Sequence, residues 1–100
     1  MLFARILLLG GFLVAACAFV PPRNLRLEEA RRAYDEAAAD AAVSRSAARE
    51  LAEAAALIER ARITLDTLGD IAEVDHLAYL AKQHVAIARE TARLAAPAPR

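Results

Sequence analysis

The stretch Leu65-Asp66-Thr67-Leu68-Gly69-Asp70-Ile71-Ala72-Glu73-Val74, LDTLGDIAEV, puts a helix stop and a helix start within four residues. Gly69 suits the left-handed backbone position after a helix C-terminus, because it has no Cβ to collide there. Asp70, with Glu73 three residues on, reads as a capping box in which a short acidic side chain takes up orphan N–H groups of the first turn. So tight a connection turns the chain back on itself, and the two segments it joins are expected to be antiparallel neighbours.

The flanks support this. Upstream, Leu51, Ala54, Ile58, Ala61, Leu65 and Leu68 recur at alternating three- and four-residue steps, the spacing of one helix face. Downstream, two seams interleave: Val74, Ala78, Ala81, Val85, Ala88 and Ala92 form one, and Leu77, Leu80, Ile87 and Leu94 the other. Together they cover more than half the circumference, so this last helix is expected to touch two neighbours. The second neighbour is an earlier helix. Leu27, Ala30, Tyr34, Ala37 and Ala41 carry the same spacing, Asn24 stands as its N-cap, and Glu28 and Glu29 lie in the first turn where the helix dipole favours acids.

Between these helices, Asp40 to Ser46 is an ambiguous joint. Continuing the first seam by heptads reaches Ser44, Ala48, Leu51 and Ala55, so one unbroken helix from Leu25 to Leu68 is allowed. Against it, Val43 would fall on the polar side, and Ser44 and Ser46 suit caps better than a helix interior. The fold class is all-α: a small antiparallel three-helix bundle if the joint breaks, a long helical hairpin if it does not. Composition agrees. Alanine, leucine and arginine dominate, there are only three glycines, and the four prolines lie outside the helical stretches.

The first twenty residues differ in kind. Arg5 gives a short positive region, and Ile6 to Leu13 an apolar core too short for a comfortable membrane span of about 20 residues. Val14-Ala15-Ala16-Cys17 follows and holds the only cysteine, so no disulfide within the chain can form. The four residues match the bacterial lipobox, an aliphatic residue and two small ones before cysteine. Residues 1–16 are expected to be a lipoprotein signal peptide cut before Cys17, with Cys17 carrying the acyl chains; an uncleaved anchor and an ordinary cut near Ala18 are the alternatives. Several acyl chains on one residue hold far more firmly than one, since each buried CH₂ adds about 0.8 kcal/mol. Residues 17–24 then form a tether stiffened by Pro21 and Pro22, residues 25–95 the helical domain and residues 96–100 a disordered tail. Ala18 follows the cysteine rather than the aspartate that resembles an inner-membrane retention signal. The periplasmic face of the outer membrane is the expected location.

The runs LRLEEARRAYDEAAAD (25–40), ARELAEAAALIERA (48–61) and above all EVDHLAYLAKQHVAIARE (73–90) resemble a domain-of-unknown-function family of bacterial envelope lipoproteins. Its members often carry this helical module just before an OmpA-like peptidoglycan-binding domain. The resemblance covers Leu25 to about Ala92 and implies location and helical fold, but no chemistry. Two departures matter. Members commonly have proline near positions 41 and 48, where this chain has Ala41 and Ala48. The OmpA-like domain is not in this sequence, so peptidoglycan binding is not carried over.

No reaction is named by these residues, and a non-enzymatic protein without cofactor is expected. Thirteen basic and thirteen acidic residues balance, so there is no basic field to recruit nucleic acid. Glu73-Val74-Asp75-His76 spells the Glu-x-x-His unit of di-iron bundles, but once, where such sites use it twice. His76 and His84 stand about 12 Å apart along a helix and cannot share a metal within it. His84 falls in the apolar arc and is expected to be a hydrogen-bonded core histidine, with Tyr34 as its candidate partner. Glu59, Arg62 and Asp66 form a surface ladder.

Two functions compete. One is a lipid-anchored interaction or spacer module that docks on another envelope protein or on itself; the other is a small ligand-binding or sensing bundle built around Tyr34 and His84. For the first, Tyr79 on the polar side of the last helix, flanked by Asp75, Lys82 and Gln83, is the candidate contact surface. For the second, cores rich in alanine leave little room for a cavity.

Overall fold

The computed structural model describes residues 22–97, and the lipobox with Cys17 lies outside them. Four helices follow one another: α1 (Leu25–Ala39), α2 (Ala41–Ser46), α3 (Ala48–Thr67) and α4 (Ile71–Ala95). The three long ones pack mutually as a bundle, and the six-residue α2 carries the chain from α1 across to α3. Partners at rising positions, Asn24 with Asp75 and Glu29 with Lys82, show that α1 and α4 run parallel. The pair Glu53 and His84 fits the antiparallel α3–α4 hairpin. Consecutive long helices are therefore antiparallel, as the bundle alternative requires.

The start of α1 and the α3–α4 turn are built as their residues dictate. Asn24 Oδ1 accepts the Leu27 N–H at 2.9 Å, so the first turn begins capped. Gly69 has φ 63°, and its N–H reaches the Thr64 carbonyl at 3.0 Å. Asp70 Oδ1 accepts the Glu73 N–H at 3.2 Å, which is one half of the expected capping box; the return bond from the Asp70 N–H to the Glu73 carboxylate is not among the described contacts.

The joint breaks twice, at Asp40 and at Ala47. Asp40 is extended and caps α2 by accepting the Ala42 N–H at 2.9 Å. Ser44 does not start a helix; its Oγ donates to the Ala38 carbonyl at 2.8 Å, satisfying an orphan acceptor at the end of α1. Ala47 is the N-cap of α3 and has no side chain to cap with. What the two breaks achieve is rotation. Val43, which an unbroken helix would aim at water, is buried against Ala37, Leu51, Val85 and Ala92. The breaks fall immediately before Ala41 and Ala48. Those two residues open α2 and α3, the first helical position that proline tolerates, so the joint forms without the prolines common in the resembled family.

The core runs in three zones. Leu27, Ala61, Leu65, Val74 and Leu77 fill the turn end; Ala30, Ala78 and Ala81 form a narrow waist; Ala37, Val43, Ala47, Leu51, Ala54, Val85, Ala88 and Ala92 fill the joint end. Nine of these sixteen are alanine, and the largest side chain sealed completely is Val74. Methyl groups let helices approach closely but bury little area, so the bundle gains stability from many small contacts.

Several seam residues expected inside lie elsewhere. Tyr34, Ile58 and Leu80 are only half-buried, Ala41 and Leu68 are exposed, and Ile87 and Leu94 face solvent. The reason is geometric: α4 has two neighbours close together on one side, so the seam of Val74, Ala78, Ala81, Val85, Ala88 and Ala92 covers the contact. The second seam is left at its edge or beyond, apart from Leu77.

Candidate functional site

Between α1 and α4 lies a groove of about 500 Å³, with Arg26 and Glu29 on one wall and Asp75, His76, Tyr79, Lys82 and Gln83 on the other. The steps from Asp75 to Tyr79, Lys82 and Gln83 are four, seven and eight residues, which put all four on one strip of helix. All four residues expected as a contact surface are thus brought together on one groove. Tyr79 is 60% exposed, with its ring presented to solvent.

Sequence reasoning missed the opposite wall. Asn24 caps α1 with its oxygen and donates its Nδ2–H to Asp75 Oδ1 at 3.0 Å, pinning the start of α1 to α4. Lys82 Nζ lies 3.6 Å from Glu29 Oε2. Asp75 and Lys82 therefore hold the groove walls together, while Tyr79 and Gln83 are the residues with no such internal duty among the described contacts. The only sequence signal for Arg26 and Glu29 was their place in the first turns of α1; which faces α1 and α4 turn toward each other, and in what register, could not be read from it.

The expected pairing of His84 with Tyr34 is not formed. His84 is half-buried at the α3–α4 interface, with Nδ1 3.0 Å from Glu53 Oε2. Tyr34 lines a separate groove between α1 and α3 with Arg31, Ala55, Ile58 and Glu59. The apolar arc of α4 is narrower than its sequence suggests, so His84 sits at its edge, within reach of a surface carboxylate.

His76 is exposed beside the half-buried Glu73. Among the described residues, no three His, Cys, Asp or Glu side chains converge as metal ligands, and no polar or charged side chain is buried. Shifted titrations occur at exposed pairs. Arg62 hydrogen-bonds Glu59 at 2.6 Å and Asp66 at 3.0 Å, holding the Glu59 carboxyl below its ordinary range while its own acidity falls. Arg93 does the same to Glu90. No described helix is long and apolar enough to cross a membrane.

What the α1–α4 groove offers chemically is one aromatic face ringed by hydrogen-bonding groups of both charges, on rigid helices. A family model described as a domain of unknown function, DUF4398, matches residues 25–97, and the chain belongs to that family. No curated protein and no solved structure matches the chain.

Proposed function

We propose that this DUF4398 member is a lipid-anchored, non-enzymatic interaction or spacer module of the bacterial envelope, held by Cys17 on the periplasmic face of the outer membrane. The lipobox Val14-Ala15-Ala16-Cys17 supports the anchor, with residues 1–16 as the signal peptide and residues 17–24 as the tether. The observation that carries the interaction role is Tyr79, exposed in a groove whose neighbours Asp75 and Lys82 are already occupied in holding α1 to α4. Tyrosine is among the residue types enriched at contact hot spots, which supports this reading. The partner is another envelope protein or a second copy of the chain; nucleic acid and cofactors have no part in this reading.

Two measurements test the two halves. Cys17→Ser should leave unprocessed precursor and abolish acyl labelling; a processed wild-type chain without lipid sinks the anchor. Crosslinking in intact envelopes should capture a partner that Tyr79→Ala loses, while the melting curve of that variant stays within about 0.5 kcal/mol of wild type. Undiminished capture by Tyr79→Ala removes the groove from consideration. Leu77→Ala, which opens the core behind the same helix, should instead cost about 2–5 kcal/mol and separates folding loss from contact loss.

A further inference from the structure

The geometry points to a second contact with the membrane: the α3–α4 turn, through Leu68 and Ile71, rests in the headgroup–acyl boundary of the bilayer that holds Cys17. This inference rests on the anchoring proposed above. Leu68 is 76% exposed and Ile71 50% exposed, two large aliphatic side chains flanking the Gly69-Asp70 pair. Neither is needed for the turn, which Gly69 and Asp70 form through backbone geometry and capping. Leu25, 75% exposed, lies at the same end of the bundle.

The position of the tether selects the occupant. Pro22, Arg23 and Asn24 share a groove with Leu65 and Asp66, the last turns of α3, so the chain enters the bundle beside the turn. Asn24 is level with Asp75, and α4 begins four residues earlier, so the turn projects about 6 Å past the entry level. Because α1 and α4 are parallel, this projection is in the direction from which the tether arrives. The five Cα-to-Cα steps from Cys17 to Pro22 reach at most about 18 Å. The far end of α4 lies about 37 Å from its start. The turn end is thus within the tether's reach of the anchor, and the joint end lies farther from the anchor than the tether can span.

Of the acids at this end, Glu28 is paired with Arg23 at 2.8 Å and Asp66 with Arg62 at 3.0 Å, while Asp70, the cap of α4, and Glu73 have no ion pair among the described contacts and stay at headgroup level. A short apolar tip can sink shallowly into an interface while its carboxylates remain among the headgroups, and no described helix is of a kind to cross the membrane. The consequence is orientation: α4 stands away from the surface and presents Tyr79 to the periplasm at a fixed height.

The test uses the full, acylated chain, purified from envelopes and reconstituted in vesicles of phosphatidylethanolamine and phosphatidylglycerol carrying a headgroup quencher. Thr67→Cys at the tip and Arg45→Cys at the joint end are labelled with a fluorophore; acylated Cys17 has no free thiol to compete. Several-fold stronger quenching at position 67 than at position 45 is expected. Adding Leu68→Asp and Ile71→Asp to the Thr67→Cys chain should abolish the excess while circular dichroism and vesicle flotation stay unchanged. Equal quenching at both positions in a floating chain overturns the inference and leaves the anchor standing. Quenching that survives the two aspartates also overturns it, since the tether alone would then explain the proximity. A chain that does not float removes the anchor and this inference together.

Discussion

The two interruptions of the helical chain, at Leu68–Asp70 and at Asp40–Ala47, do the same job by different means. At the first, every stabilising feature is local: a glycine with positive φ, a back-bond to Thr64 and an aspartate on the next N-terminus, with Leu68 beside it left exposed by the bundle. At the second, the final break has no side-chain cap, and what is secured is the burial of Val43 and Ala47 against α3 and α4. A turn can be made by backbone preference or by packing. Only the first kind leaves a signature a reader of the sequence can decode.

That contrast is open to attack by mutation. Val43→Ala removes two methyl-sized groups from the joint cluster and should cost about 2–3 kcal/mol, read from chemical denaturation. A cost near zero would show that packing does not hold the joint. Gly69→Ala should cost about 1–2 kcal/mol through backbone strain alone, because a Cβ there meets nothing within 4 Å. Leu68→Ala, one residue away, should leave the same curve within about 0.5 kcal/mol for the soluble fold.

Capping sharpens the comparison at a smaller scale. Asp70→Ala should lose about 1 kcal/mol, as N-cap removals commonly do, and Asp40→Ala less, because the six-residue α2 is held by Val43 rather than by its cap. Equal losses would make the two interruptions alike. Ala41→Pro should be tolerated or add about 0.4–1 kcal/mol, since Asp40 already has the extended backbone that precedes proline. The same change at Ala48 should gain nothing, because Ala47 sits at ψ 35° and would have to move.

The smallest effect is electrostatic. Glu59, held below its ordinary 4.5 by Arg62, contributes stability that is complete above that value and is lost as pH falls through its lower folded-state value. Arg62→Gln should therefore narrow the difference in melting temperature between neutral and acid solution, by an amount that shrinks with added salt. An unchanged pH profile would assign the ladder no role in stability.

The reach of sequence reasoning follows the same division. Helix identity, the N-cap Asn24, the turn at Gly69 and the shared strip of Asp75, Tyr79, Lys82 and Gln83 were legible, because each depends on residues within two turns of one another. The walls of the groove were not. Asn24 with Asp75 and Glu29 with Lys82 are more than fifty residues apart and meet only because α1 runs parallel to α4. Likewise Tyr34 and His84 were placed together on hydrophobic phase, whereas Glu53 is the partner His84 finds across α3.

Periodicity and capping residues by themselves determined that the chain is helical, where the hairpin turns and which strip of the last helix is polar. Tertiary structure alone decided that the joint breaks before Ala41 and Ala48, that Val43 goes inside, and that Ile87 and Leu94 stay outside. Periodicity records which side chains prefer to leave water, but a bundle of three helices has a limited contact area. Packing chooses among the candidates, and in a core made largely of alanine that choice rests on how closely the backbones can approach.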